Sequence, residues 1–215
     1  MVKLYVEGGG DSHALKTECR KGFSSFLKKA GLDGALPRIV ASGSRQNAFQ
    51  DFYKAVENNK NGDYILLLVD SEDPVDPSCE KGEPADWQPW MFLEQKEQWR
   101  KPKQATDSQC HLMVVCMETW LLADTKALKD FYGGDLIEKH LLGGRNDLET
   151  VPKSDIMDAL NNATKNCKKK GTYSKGQHSF KLLEKIDADM VMNRCAWAKR
   201  FVDALKSQLV SDELL

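Results

Sequence analysis

The chain has 215 residues, of which 41% are hydrophobic and 29% are charged, and its formal net charge is −1 at pH 7. Such a balance is typical of globular proteins and excludes a bulk electrostatic attraction to nucleic acid or membranes, so any electrostatic function must come from local clusters. No apolar run approaches the ~18 residues of a membrane span, and the amino terminus lacks the apolar segment of a secretion signal. Six cysteines without C-x-x-C spacing predict reduced thiols and a cytoplasmic location.

The first third of the chain alternates between strand and helix patterns. Residues 3–7 and 38–41 predict short strands, and the apolar run 64–70 predicts a strand that is covered on both faces. Helical spacing of apolar residues predicts helices over 12–30 and about 45–59. The resulting β-α-β-α-β order predicts parallel strands with right-handed crossovers.

The rest of the chain predicts one more strand and several helices. A polar loop from 71 to about 89 is long enough to be functional or mobile, and a fourth strand is predicted at 110–116. A helix opens at Met117, and helical patterns follow at 125–132, 154–166, 178–187 and 195–209. We therefore predict an α/β fold with a mainly parallel sheet of about four strands flanked by helices. The predicted division is a core at 1–124 and a helical C-terminal region at 125–215, packed on or beside that core.

Acidic residues follow two of the predicted strands. Glu7 ends the first strand and precedes three glycines, and Asp70, Glu72 and Asp73 follow the third strand. If these strands are neighbours, the carboxylates meet at one edge of the sheet, where two charges 4 Å apart repel by about 1–4 kcal/mol. Such a cluster raises a pKa or holds a cation, and oxygen ligands without paired His or Cys favour Mg²⁺ or Mn²⁺. The alternative is that these acids cap helices or solvate loops.

The motifs LYVEGGGD and LLLVDSED resemble those of the Toprim domain, which topoisomerases, primases and old-type nucleases share. In that family a Glu after the first strand and an Asp-x-Asp pair after the third bind Mg²⁺ for phosphodiester chemistry. The resemblance implies a Toprim-like Rossmannoid fold with Glu7 and Asp70 as ligands. The third position departs from the pattern: Glu72 has the matching spacing and is preferred, but the choice between Glu72 and Asp73 stays open.

The resemblance extends over nearly the whole chain. Together with SGSR, CMETWLLAD and YSKGQHSF, these motifs look like a small stand-alone bacterial Toprim family without assigned function. Its members often lie beside genes for an AAA/ABC-type ATPase and are suspected of anti-phage defence. The resemblance therefore implies an ATPase as a partner.

Further candidate residues lie near the predicted sheet edge. Glu118, just past the fourth strand, is a candidate metal ligand or general base, although an acid is also favourable in the first turn of a helix. Arg45 lies at a strand-to-helix turn and is a candidate phosphate contact. Gly8 and Gly9 leave room for a phosphate to approach the backbone.

A lysine-rich segment could provide contacts to a nucleic acid. Residues 161–181 contain six lysines and no acid, and Lys175 and His178 lie in a glycine-containing loop within it. Lysine contacts to phosphates give affinity that is independent of sequence, whereas the ordinary alternative is a solvated surface. Lys175 and His178 are therefore candidates to orient a phosphate.

These observations favour a nuclease that requires Mg²⁺ or Mn²⁺ and acts on DNA or RNA, with Glu7, Asp70 and Glu72 as the catalytic residues. Asp73 and Glu118 complete the candidate metal ligands. One alternative is a Toprim scaffold without nuclease activity that binds and senses an ATPase through the aromatic side chains of Trp87, Trp90, Phe92 and Trp99. Another is a metal-dependent phosphohydrolase acting on small nucleotides. The sequence does not predict the oligomeric state.

Overall fold

A computed structural model describes the backbone of residues 1–212 and the side chains up to residue 209. Its sheet has four parallel strands in the order β2-β1-β3-β4, with bounds Val2–Val6 (β1), Arg38–Ala41 (β2), Tyr64–Asp70 (β3) and Cys110–Met113 (β4). The helices are His13–Leu27 (α1), Arg45–Glu57 (α2), Pro89–Glu97 (α3), Met117–Ala123 (α4), Thr125–Tyr132 (α5), Lys153–Thr164 (α6), Ser179–Leu183 (α7), Ala188–Arg194 (α8) and Ala196–Asp212 (α9). The predicted fold class is confirmed.

The pairing of the strands brings their carboxyl ends to one edge. Val6 of β1 lies opposite Leu68 of β3, and Asp70 at the end of β3 lies opposite Met113 of β4. The backbone N–H of Glu7 continues the ladder by donating to the Leu68 carbonyl at 3.0 Å. Strands β1 and β3 are neighbours, as the acid cluster requires.

Several predicted boundaries differ from the observed ones. Helix α1 begins after Ser12, whose side chain caps it, and leads into a π-helical turn at Lys28–Leu32. Strand β4 ends at Met113 rather than at 116, and helix α7 ends at Leu183 rather than at 187. Helix α8 was not predicted, because seven residues give too little apolar periodicity to identify a helix.

The segment between β3 and β4 is fixed by a buried arginine of α9. Arg200 is only 4% exposed and donates to the carbonyls of Pro84 (2.8 Å), Asp107 (2.9 Å) and Cys110 (3.0 Å). Its Nη1 also lies 3.0 Å from Nδ1 of the buried His111. The N–H groups of the guanidinium thereby supply hydrogen bonds to backbone carbonyls in a segment that lacks regular backbone pairing.

The aromatic residues in this segment form part of the core. Trp87, Trp90, Phe92 and Trp99 are between 3% and 9% exposed. The expectation that they offer an exposed interface for an ATPase is therefore wrong. Their rings are buried between α2, α9 and the sheet, and this packing removes their apolar surface from water.

The C-terminal helices pack directly on the sheet and its helices. Helix α7 contacts α1, helix α9 contacts β4, and one continuous apolar core includes residues from both parts of the chain. The division at residue 124 stays a prediction. All six cysteines are free and buried, as predicted for reduced thiols. None of the helices within residues 1–212 has the length and apolar character that crossing a membrane requires.

The glycine turn after β1 is shaped by close packing. Gly8 and Gly43 exchange two backbone hydrogen bonds of 2.8 and 2.9 Å. Gly9 has a φ of +85°, and a Cβ there would lie 2.7 Å from the Cα of Lys16 in α1. Gly10 also has a positive φ, of +48°, but a Cβ there would meet no atom within 4 Å. Contact with α1 thus explains the requirement for glycine at Gly9 but not at Gly10.

We expect Gly9→Ala to lower the free energy of unfolding by about 2–4 kcal/mol, because it adds a backbone clash to the strain of a positive φ. Gly10→Ala is the matched control and should cost only about 1 kcal/mol, since it carries the strain alone. Urea denaturation monitored by circular dichroism measures both values. Equal losses for the two variants would contradict the packing explanation.

Candidate metal centre

Asp70 lies at the centre of the site and contacts groups of five other residues. Its side chain is 2% exposed, and its Oδ1 accepts the backbone N–H of Met117 at the start of α4, at 2.9 Å. Its own N–H donates to Oε2 of Glu7 at 3.1 Å, and its carbonyl accepts Nε of Arg45 at 2.7 Å. The other carboxylate oxygen, Oδ2, faces the ammonium groups of Lys175 (3.5 Å) and Lys153 (3.8 Å).

Three of the predicted carboxylates come together at this edge. Glu7, Asp70 and Glu72 each offer an oxygen, and these oxygens lie within 4.8 Å of one another. Ligands on opposite sides of a Mg²⁺ ion are about 4.2 Å apart, because each Mg–O distance is about 2.1 Å. Three ligands of one octahedral ion include at least two adjacent pairs, about 3.0 Å apart, so these oxygens would have to move closer together to hold one ion.

The structure distinguishes Glu72 from Asp73, the two candidates for the third metal ligand. Glu72 belongs to the group of three, whereas the side chain of Asp73 is 68% exposed and pairs with Lys96 of α3. Glu72 adopts a φ of +70°, which costs a residue with a side chain about 1–2 kcal/mol. Its N–H donates to the Val115 carbonyl at 2.8 Å, and this bond holds the unfavourable backbone in place.

Glu118 lies fully buried in the first turn of α4, beside the cluster. Its Oε1 accepts the hydroxyl of Tyr173 at 2.7 Å. Among the described residues, Oε2 has no hydrogen-bond partner, and the nearest cation is the ammonium of Lys175 at 3.8 Å. Burial and the neighbouring Glu118 raise the pKa of Tyr173, so its hydroxyl remains a donor. A buried carboxylate oxygen without a partner is costly, which fits a donor set built for a cation.

The pKa values reflect uncompensated negative charge. Burial raises the pKa of Glu7, although the N–H of Asp70 and the charge of Lys175 oppose the shift. Burial and the adjacent Glu7 raise the pKa of Asp70 well above its usual range. Burial alone would lower the pKa of Lys175, but the carboxylates of Asp70, Glu118 and Glu7 outweigh it, and the net shift is upward. Both acids would ionise more readily beside a bound divalent ion.

A cavity of about 240 Å³ opens onto these carboxylates. Its polar lining includes Glu7, Asp70, Lys175 and the backbone of the glycine turn, and its apolar lining comes from Leu15, Met113, Met117 and Phe180. Gly8 and Gly9 line it as predicted. A Cβ at Gly8 would lie 2.9 Å from the ring of Phe180, so this glycine also permits the packing of α7.

Arg45 serves mainly to hold the edge of the sheet together. Besides bonding the Asp70 carbonyl, its Nη1 lies 2.6 Å from Oε1 of Glu97, and its guanidinium stacks 4.7 Å from the ring of Trp99. Its Nη2 is buried and, within the described part of the chain, has no hydrogen-bond partner. The predicted phosphate contact would require this remaining group.

The structure does not place His178 beside the carboxylates. It is 5% exposed, its Nδ1 accepts the Tyr132 hydroxyl (3.0 Å) and the Ser174 N–H (3.3 Å), and it does not line the cavity. Burial and the charges of Lys181 and Lys170 lower its pKa. Its contacts fix the loop that carries Lys175.

Two residues of the site were not predicted. The Nζ of Lys153, the first residue of α6, lies 2.7 Å from both carboxylate oxygens of Glu72. Tyr173 orients Glu118, as described above. No signal in the sequence distinguishes Lys153 from the other lysines, because its position depends on how α6 packs. Tyr173 lies in the loop of Lys175 and could have been identified as the partner of a buried acid.

Comparisons with known proteins give one match. A family model described as a domain of unknown function, DUF4276, matches residues 6–206. No curated protein and no solved structure matches the chain. Because the family model covers nearly the whole sequence, the protein belongs to the DUF4276 family.

Proposed function

We propose that the protein is a metal-dependent nuclease that cleaves phosphodiester bonds in DNA or RNA. The observation that carries this proposal is the convergence of Glu7, Asp70 and Glu72 at the carboxyl edge of a parallel sheet, beside an open cavity. The resemblance of the two acidic motifs to the Toprim domain supports it. Mg²⁺ or Mn²⁺ is the cofactor that such oxygen ligands favour.

In this proposal each residue has a defined role. Glu7, Asp70 and Glu72 hold the metal ion, which supplies an activated water and neutralises charge on the phosphate. Asp73 lies outside the group, and Glu118 supports the site through Lys175 and Tyr173. The ammonium of Lys175 is half-exposed at the cavity and is placed to contact a phosphate oxygen.

The cavity and the surface around it favour a polymer over a small nucleotide. A volume of about 240 Å³ is below the roughly 300–1,000 Å³ of pockets that enclose small molecules. It is sufficient for one phosphodiester group with the rest of the chain outside. Lys168, Lys169 and Lys170 are exposed on the same segment as Lys175, and among the described residues no carboxylate forms an ion pair with their ammonium groups, although that of Lys170 lies 4.7 Å from the ring of Phe131.

The biological setting in the proposal follows the resemblance alone. We infer that the protein is a cytoplasmic effector of an anti-phage defence system that works with an AAA/ABC-type ATPase. The buried, reduced cysteines support an intracellular location. The buried aromatic residues remove one argument for a scaffold without nuclease activity, because they offer no exposed interface.

We expect the wild type to cleave plasmid, single-stranded DNA or RNA in Mg²⁺ or Mn²⁺, and EDTA to abolish cleavage. Glu7→Gln and Glu72→Gln should lower the rate by at least about 100-fold, or about 2.7 kcal/mol of activation free energy, because each removes a metal ligand. Asp73→Asn should retain most of the activity, which would resolve the choice between Glu72 and Asp73. Gel-based cleavage assays measure these rates.

The matched control is Asp130→Asn, an exposed carboxylate on α5 that pairs with Lys126 and lies outside the group of three. It should cleave at the wild-type rate. Absence of cleavage by the wild type on all three substrates, both alone and with a co-expressed partner ATPase, would refute the nuclease proposal. Full activity of Glu7→Gln would refute the assignment of the site.

The binding of nucleic acid, measured without cleavage, tests the role of Lys168, Lys169 and Lys170. In EDTA, the triple variant Lys168→Gln, Lys169→Gln, Lys170→Gln should bind a fluorescent 20-nucleotide duplex more weakly. The slope of log K against log salt concentration should fall by about 2–3, since each lost phosphate contact removes about 0.9. Fluorescence anisotropy at several salt concentrations measures the slope.

The control for this experiment replaces Lys54, Lys60 and Lys103, which are also exposed but lie on other segments. Its salt slope should equal that of the wild type. An unchanged slope for the triple variant of the 168–170 segment would mean that this surface does not contact the nucleic acid.

A further inference from the structure

Two lysines neutralise half of the negative charge at the candidate metal centre. Four carboxylates lie there, those of Glu7, Asp70, Glu72 and Glu118, and the ammonium groups of Lys153 and Lys175 lie among them. With every group ionised, the net charge is −2. Arg45 does not change this balance, because Glu97 pairs with its guanidinium. The remaining charge equals that of one divalent ion.

Each ammonium bridges two carboxylates. The Nζ of Lys153 lies 2.7 Å from the Glu72 oxygens and 3.8 Å from Oδ2 of Asp70. The Nζ of Lys175 lies 3.5 Å from the same oxygen of Asp70 and 3.8 Å from Oε2 of Glu118. In sites with two metal ions, which lie about 3.5–4 Å apart, a carboxylate between the two ions binds both of them. Asp70 is the carboxylate that both ammonium groups share.

Both lysines are held where they are. Lys153 begins α6, and its neighbours in that helix, Ile156 and Leu160, are fully buried. Lys175 lies between two anchored residues, Tyr173, which bonds Glu118, and His178, which bonds Tyr132. Packed structure therefore fixes the backbone of both lysines next to the site, and their ammonium groups lie within 4 Å of its carboxylates.

We propose that the centre holds a single divalent ion, bound by Glu7, Asp70 and Glu72, and that Lys153 and Lys175 take the positions of a second ion. This inference rests on the metal centre of the proposed function. Glu72 has two carboxylate oxygens, so one can turn to the ion while the other keeps its bond to Lys153. The lysines then limit both the number of ions and their affinity through repulsion.

The test is the binding of Mn²⁺ to the metal-free protein at constant ionic strength, by isothermal titration calorimetry and electron paramagnetic resonance of the free ion. The wild type should bind one ion. Lys153→Gln and Lys175→Gln should each bind it at least about tenfold more tightly, because a positive charge that repels the ion is removed. The double variant should bind a second ion.

Two controls separate charge from structure. Lys153→Arg keeps the charge and should bind one ion with an affinity within about threefold of the wild type. Lys96→Gln removes a lysine that pairs with Asp73 outside the group, and its binding should be unchanged. Far-ultraviolet circular dichroism identifies any variant that does not fold, and if Lys153→Gln does not fold, Lys175→Gln carries the test of charge removal.

The outcomes distinguish this inference from the function on which it rests. Two ions of similar affinity in the wild type would overturn the inference and leave the nuclease proposal intact. Unchanged or weaker binding in both glutamine variants would overturn it as well, since the lysines would then only support the ligands. Absence of any Mn²⁺ binding, or unaltered binding in Glu7→Gln, would overturn the metal centre itself.

Discussion

The burial of one carboxylate, that of Asp70, is the constraint on which the site depends. A carboxylate that is 2% exposed must have its oxygens satisfied, and here the N–H of Met117 and two ammonium groups do so. The backbone of the same residue bonds Glu7 and Arg45. One residue at the end of β3 thereby joins the ends of β1, α2 and α4, and the positions of the other acids follow from its own.

The arrangement gives the sheet edge a graded distribution of charge. Carboxylates occupy the inner part, the side chain of Lys175 is half-exposed at the cavity, and Lys168, Lys169 and Lys170 are exposed on the same segment of the chain. Positive charge beside the acids would attract an anionic polymer, which suits an approach led by electrostatics. The apolar lining from Phe180 and the methionines lowers the local dielectric and strengthens these interactions.

The sequence predicted the elements that local chemistry determines. The alternation of apolar runs and glycine turns predicted the parallel sheet, and the acids after β1 and β3 predicted their meeting, because the carboxyl ends of neighbouring parallel strands lie at one edge. Lys153 could not be predicted, since it reaches Glu72 only through the packing of α6. His178 was predicted near the phosphate from its loop, yet the structure buries it against Tyr132, a contact between residues far apart in sequence. Helix α8 was too short to show the helical periodicity of apolar residues by which the other helices were predicted.

The reach of Lys153 and Lys175 across the molecule also bears on how the protein unfolds. The acids belong to the first 118 residues, and the cations that offset them come from beyond residue 150. Detaching the C-terminal helices would remove these ammonium groups and leave the mutual repulsion of the carboxylates uncompensated. Partial unfolding at that boundary is therefore penalised electrostatically as well as by loss of core packing. Such coupling favours a single cooperative transition in which both parts of the chain melt together.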